Sequence, residues 1–410
     1  MEKFLSYLVV FEFILFSGAV RFNAAQPQLT MVFYVLTTFL FFICKRSVNN
    51  SASKTNFKIC TLLLSWVILT NFITARDEVN NRYLNFVMFA VGSAFSISVF
   101  DYRRFKELFL KCFNILLALS VLVHVLTAIG ILHGKRTAMG VYELDMVWYL
   151  FNVGENQGLR LSGPYWEPGQ LQIVIFFTLC MFYDELSEFF KKPIKVLKKF
   201  GIIILALFLT QSTMAYLTLF VFTSAVAVSS ASSFKSKFVL PLFLIAGVLA
   251  ASFLMKSSVI VEKISEDGEN NRSYVIRQAD NLALIQMTMD NPYFGTGVET
   301  KTYENLRIAY DSATSSNGWL NVSAMLGIPY LFFMLFLMFK KLFLRYKYHG
   351  FIVISLLWIV LIMCQSNEAA VYFPYIYLYL YSFKNCSDEC PKIQKITVNN
   401  NENLNNQRKI

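Results

Sequence analysis

Residues 160–182 read RLSGPYWEPGQLQIVIFFTLCMF, a polar cluster of one arginine, two glycines, two prolines and one glutamate running into the apolar stretch Ile173–Phe182. A stretch of that kind belongs either to a protein core or to a bilayer. The composition decides between them: 56% of the 410 residues are hydrophobic, 41 are Phe and only 15% are charged, far more apolar than a soluble domain of this length. The chain is therefore read as a polytopic integral membrane protein of the all-α class. Helices cross a bilayer because they satisfy their own backbone hydrogen bonds, and a crossing takes roughly 20 apolar residues, fewer where its ends are wetted. The alternation by twos that a β-barrel requires is not seen along the chain. Arg160 to Gln172 then stands at the mouth of a span.

Apolar runs place about twelve spans, near residues 4–20, 28–44, 59–75, 84–100, 108–132, 170–183, 200–212, 213–231, 238–255, 317–339, 351–364 and 371–383. The first run follows a lysine, as a secretory signal does, but it carries Glu12 and the topology is consistent only if it is retained. With the N-terminus inside, the inner connections KRSVNNSASKTNFK, DYRRFKE, DELSEFFKKPIKVLKK, FKSK and KKLFLRYKYHG, with the tail, collect most of the 37 Lys and Arg. Basic residues in short connections resist translocation, so both termini are expected in the cytoplasm, with the net charge of +11 on that face. Anionic membrane lipids suffice as its partner, and no nucleic acid is needed. Residues 1–383 are read as one transmembrane domain and 384–410 as a cytoplasmic, disordered tail ending TVNNNENLNNQRKI. The seven cysteines (44, 60, 112, 180, 364, 386, 390) fall in apolar runs or in the tail, so no disulfide framework is implied. Nothing in the pattern requires a metal or another cofactor.

Two outer connections are long, about 133–169 and 256–316, and loops of that length in a compact bundle are usually functional. The second contains RSYVIRQADNLALIQMTM, whose apolar residues Val275, Ala279, Leu282, Ile285 and Met289 have helical spacing, so a helix lying on the outer surface is expected. At the first, WEPGQLQ reads naturally as a helix start, because Pro168 sacrifices an N–H that would have been unpaired and Glu167 lies near the positive end of the helix dipole. The same residues support a second reading, in which Arg160, with Gly163 and Gly169 permitting close backbone approach, makes bidentate contacts to a phosphate or diphosphate. The local sequence leaves both open. Arg272 and Arg277 likewise belong either to a solvated helix or to an anion site beside the turn NPYFGTGV. Glu143 and Asp145 in YELD have the acid-x-acid form of some metal-dependent glycosyltransferases, but read better as solvated loop acids. His124 and His349 are expected to be structural, His133 part of a solvated basic patch, and Glu12 to face the bundle interior.

Taken in order, RLSGPYWEPGQLQ, LFLTQSTMAYLTLF, NRSYVIRQADNLALIQMTMDNPYFGTGV, SSNGWLNVSAMLGIPYLFFML and QSNEAAVYFPYIYLYLY resemble the O-antigen polymerase and O-antigen ligase superfamily over roughly residues 150–383. Each motif is degenerate, and the ordered set carries the resemblance. It implies a bacterial inner-membrane glycosyltransferase of the C type, with two long periplasmic loops, working on undecaprenyl-diphosphate-linked oligosaccharide donor and acceptor, with a separate chain-length regulator as a partner. Arg160 matches the arginine of an R-x-x-G motif and Arg272 the arginine ahead of the NP-x-x-G-x-G turn. Two departures stand out: Ser212 is followed by Thr213 where the family often has arginine, and Ser316 precedes Asn317 where ligases typically carry histidine. The second departure and the EPG form of the first motif favour a polymerase over a ligase. On this resemblance Arg160, Arg272 and Glu167 are the catalytic candidates, and Arg277, Gly163, Ser212, Asn317 and Glu368 line the substrate, with Glu368 the second candidate for general base. A lipid-linked oligosaccharide flippase is the rival from another class, but its paired halves and midplane charges are not evident here.

Overall fold

A computed structural model describes residues 2–18, 27–45, 51–74, 82–133, 135–139, 142–147, 150–155, 158–165, 167–230, 271–298, 300–310, 317–366 and 373–384. The expected span 238–255, the tail beyond 384, Ser316 and Glu368 lie outside these residues. The chain opens with α1 (Glu2–Leu15), α2 (Pro27–Cys44), α3 (Ser51–Thr74), α4 (Arg82–Val99) and α5 (Tyr102–Ala128). Four strands follow: β1 (Lys135–Met139), β2 (Tyr142–Val147), β3 (Leu150–Glu155) and β4 (Gly158–Gly163). The helices then resume with α6 (Pro168–Met181), α7 (Tyr183–Leu186), α8 (Pro193–Leu209), α9 (Thr213–Ser230), α10 (Asn271–Asp290) and α11 (Lys301–Ala309). The last are α12 (Gly318–Leu326), α13 (Ile328–Tyr346), α14 (Phe351–Gln365) and α15 (Pro374–Tyr377). Among the described residues α3 and α5 are long and apolar enough to cross a membrane, and five shorter apolar helices lie between residues 31 and 365.

The distribution of side chains on α3 is that of a helix with apolar surroundings outside. Its buried face carries Ser53, Asn56, Thr70 and Asn71, while Leu62, Ile68, Leu69 and Phe72 point outward, Phe72 being 83% exposed. In water that arrangement would be inverted; in a bilayer the outward face meets hydrocarbon and polar groups must find partners within the bundle. Asn56 does so, donating from Nδ2 to Ser98 Oγ at 3.0 Å and to the Ser382 carbonyl at 2.8 Å. The segment Phe373–Phe383, expected as the last span, is instead the short helix α15 followed by turns, and its aromatic residues are buried throughout. Tyr379 donates its hydroxyl to the Phe177 carbonyl and Tyr381 to that of Ala90, so this strand of tyrosines ties α6 to α4.

Two further differences from expectation have local causes. The span expected over 317–339 is broken at Gly327, which has φ +83° and separates α12 from α13. The connection 133–169 is no loop but a four-stranded antiparallel meander in the order β1-β2-β3-β4, so the chain is mostly helical rather than wholly so. Strands of five or six residues leave little room for an alternation to register in the sequence. The sheet packs through β3 and β4 on α5, and His124 Nδ1 lies 3.0 Å from Asn152 Oδ1 across that contact, both side chains buried.

Ionic groups gather at one end of the bundle. Glu2 pairs with Lys45 and lies 3.6 Å from Arg104, Glu185 pairs with Lys199 and lies 3.7 Å from Lys106, and His349 Nε2 lies 3.0 Å from Asp184 Oδ1. Arg345, buried nearby, donates to the Leu378 carbonyl and stacks on Tyr102 at 4.5 Å. Burial pushes the Asp184 carboxyl up, but hydrogen bonds from His349 and Tyr348 and the Lys106 charge outweigh it and hold it below the usual carboxylate range.

Candidate functional site

The other end of the bundle carries the first motif. Gly163 leaves β4 at φ +63°, and a Cβ there would come within 3.3 Å of Ser120 Oγ, so the turn out of the strand needs glycine. Tyr165, fully buried, donates its hydroxyl to the Ile14 carbonyl at 3.0 Å and pins the turn to α1. Glu167 takes the N-cap position of α6 with Pro168 next, but its half-buried carboxylate makes no capping hydrogen bond. The side chain is thus not used in starting the helix. Gln170 Nε2 donates to the Ser17 carbonyl at 2.9 Å, fixing the first turn of α6 against the end of α1.

Arg160 projects from β4 toward the turn between α8 and α9. Among the described residues its guanidinium makes one hydrogen bond, from Nε to the Thr210 carbonyl at 3.2 Å, and its charge is within electrostatic reach of the Tyr216 hydroxyl. The turn itself is strained: Gln211 has φ +48°, the only described residue other than glycine with positive φ. Ser212 follows, buried, at the N-terminus of α9. The structure therefore brings Arg160 to the turn that leads into Ser212, two positions beyond its partner Thr210. A half-buried guanidinium above a helix N-terminus suits an anion that keeps contact with water.

The second motif proves to be a capping device. The last carbonyls of α12 have no partners within their own helix. Thr296 N–H donates to the Ala324 carbonyl at 2.8 Å, Gly297 N–H to that of Met325 at 2.9 Å and Trp66 Nε1 to that of Leu326 at 2.9 Å, while Ile328 N–H returns a bond to the Pro292 carbonyl. Backbone meets backbone here, since a Cβ on Gly327 would lie 2.2 Å from the Tyr293 oxygen and one on Gly295 2.4 Å from the Met325 carbon. The glycines of NPYFGTGV are accounted for by this docking.

Helix α10 exists as expected, but its packed face is not the one its apolar spacing suggests. Val275, Leu282, Ile285 and Met289 are exposed, and the face against α12 is Asp280, Ala283, Leu284, Met287 and Thr288, the last 3.0 Å from Ser323 Oγ. Arg277 is half-buried on this helix; Arg272 lies in its first turn, its side chain outside the description. Asn317 caps α12, its Oδ1 accepting from the N–H groups of Trp319 and Leu320 at 3.2 Å. That makes its side-chain oxygen structural. Trp319 Nε1 in turn donates to the Ile362 carbonyl, so α14 stands between the Arg277 side of the molecule and the helices α6 and α9 on the Arg160 side. Glu143 and Asp145 fall on β2, and among the described residues no three acidic, His or Cys side chains converge as metal ligands would.

Sequence reasoning missed a set of neutral polar groups at the Arg160 end. Ser162, Gln172, Thr218 and Gln365 are buried, and among the described residues Ser162 Oγ, both amide atoms of Gln172, Thr218 Oγ1 and Gln365 Oε1 have no hydrogen-bond partner. The available signal was a second glutamine two positions after Gln170 in a helix that beyond it is apolar except for Thr178. Residues 200–335 match the family model described as O-antigen ligase, a segment that contains the Ser212 turn, α9, α10, the capping turn and the break at Gly327. Arg160, Glu167 and Gln365 flank it. No curated protein and no solved structure matches the chain.

Proposed function

We propose, from the match of residues 200–335 that places the chain in the O-antigen ligase/polymerase superfamily, that it polymerises lipid-linked oligosaccharide repeat units into a surface polysaccharide. The repeat units are carried on undecaprenyl diphosphate at the periplasmic face of the inner membrane, where the Arg160 end of the bundle lies, and the ionic end faces the cytoplasm with both termini. The retention of basic residues on the cytoplasmic side supports that orientation. In the reaction an acceptor sugar hydroxyl forms a new bond to the anomeric carbon of the donor glycan. The bond from that carbon to the diphosphate oxygen breaks, its electron pair leaves with the lipid diphosphate, and the hydroxyl proton passes to a carboxylate. Arg160 offsets the charge growing on the diphosphate, where electrostatic stabilisation has most leverage. Glu167, whose carboxylate is left free of any helix-capping bond, is the base. Arg272 and Arg277 hold the second lipid-linked partner, and Glu368 is the second candidate for the base.

The observation that carries this reading is the meeting of Arg160 with the strained Thr210–Ser212 turn at the start of the family-matched segment. The lipopolysaccharide gel of a deletion strain tests it: a core bearing a single repeat indicates a lost polymerase. Loss of every repeat from the core indicates instead a ligase that transfers finished glycan to lipid A core; the matched family is described as O-antigen ligase. An unaltered ladder would remove both.

A further inference from the structure

Four elements end or begin at the Arg160 side of the bundle. Tyr346 donates its hydroxyl to the Cys180 carbonyl, placing the C-terminal end of α13, and with it the start of α14, beside the C-terminal end of α6. Tyr183 donates to the Ala225 carbonyl, placing the late part of α9 there too. The start of α6, the start of α9 and the end of α14 therefore share the opposite end, the one to which β4 delivers Arg160.

Gln172 is four residues into α6, about 6 Å along it, and Thr218 five residues into α9, about 7.5 Å along it; Gln365 is the last residue of α14. Gln172 lies roughly 200° around α6 from Gln170, which is held on α1, so it faces away from α1. Among the described residues its 0% exposed amide has no partner, and Gln365, equally buried, gives only Nε2 away, to the Tyr375 hydroxyl at 2.9 Å. Thr218 Oγ1 is likewise buried with no partner among the described residues. Buried polar groups without partners are expensive, and these three gain most from a ligand that arrives with hydrogen-bonding groups of its own.

We infer that Gln172, Thr218 and Gln365 form a neutral subsite that binds the hydroxyl groups of a sugar, beneath the mouth occupied by Arg160. An amide offers two donors and an acceptor and a threonine hydroxyl one donor and acceptor sites, which complements sugar hydroxyls that both give and accept. A diphosphate would select cations, and a polyprenyl tail would select apolar walls; neither explains buried amides. The inference rests on the polymerase reading and specifies which part of the lipid-linked glycan these residues hold.

The test uses the full-length protein in phospholipid nanodiscs, with the lipid-linked single-repeat glycan extracted from a strain deleted for this gene. Gln172→Met and Gln365→Met remove an amide at nearly constant length. Both are expected to raise KM roughly tenfold with kcat held; Gln172→Met should also raise Tm by about 2 °C, because an unpaired buried amide is gone, whereas Gln365→Met also gives up the bond to Tyr375 and is read by KM alone. Unchanged KM in either variant overturns the subsite, and so does a lowered Tm in Gln172→Met, which would mean that the amide serves the fold. Should the wild-type protein build no polymer from this glycan, the polymerase reading fails by itself. Binding of the same glycan then decides the subsite: a roughly tenfold weaker Kd in Gln172→Met supports it, and equal affinity overturns it.

Discussion

Among the described residues Arg160 is held by a single neutral acceptor, the Thr210 carbonyl, on the one described turn whose non-glycine residue sits at positive φ. A guanidinium with so little internal demand is available to a substrate. Arg160→Ala is expected to lower kcat by at least 100-fold with the protein still folded, and Arg160→Lys to recover only part, since an ammonium lacks the planar fork. A ladder of normal length from cells making the alanine variant at wild-type levels would remove Arg160 from the chemistry. Glu167→Gln should lower kcat comparably, and unchanged polymer yield would mean that another group takes the proton. At Gln211, a β-branched residue tolerates φ +48° worst, so Gln211→Val should destabilise by about 1–2 kcal/mol in thermal unfolding. Stability equal to wild type there would show that the turn relaxes.

The turn Asn291–Val298 and the helix end at Leu326 act as one element. Gly327→Ala meets the Tyr293 carbonyl at 2.2 Å and must also adopt φ +83°, whereas Gly350→Ala has φ +91° with no atom within 4 Å. The second substitution should cost about 1 kcal/mol from backbone strain alone, the first about 3 kcal/mol or more. Equal losses in chemical unfolding would mean that the docked turn moves aside. Turn composition made the glycines of NPYFGTGV visible in the sequence, but not what they touch, because Met325 and Leu326 beside Gly295 and Asn71 and Thr74 beside Gly297 stand on other helices. The break at Gly327 was hidden for the same reason: the apolar run 317–339 continues through it. Helix α10 was legible as a helix, but its spacing did not show which face packs. An apolar stripe marks the buried face only when water lies outside, and here Asp280 and Thr288 are inside while Leu282 and Met289 are out. Arg160, Glu167 and Ser212 stood out by residue type, whereas Gln172 and Gln365 looked like ordinary polar residues near helix ends until their burial and lack of partners were known.

The molecule as a whole is polarised, with neutral and strained groups at the end that holds Arg160 and paired charges at the other. The Asp184–His349 contact joins the region after α6 to the connection between α13 and α14, so it braces the bundle at the end away from Arg160. Because the folded carboxyl of Asp184 sits below its ordinary value of 3.8, the unfolded chain takes up its proton first as the solution is acidified. The stabilisation is therefore complete above the ordinary carboxyl range and is lost as pH falls through the lower, folded value. Asp184→Asn should lower Tm by about 2 °C at pH 7, the scale of hydrogen bonds to a half-exposed carboxylate, with the difference from wild type closing below about pH 4. Its activity on lipid-linked glycan should be unchanged at neutral pH, since the bundle end bearing Arg160 is untouched. A Tm difference as large at pH 3 as at pH 7 would show that Asp184 contributes through packing rather than charge, and a fall in activity at neutral pH would show that the two ends are coupled through the helices between them.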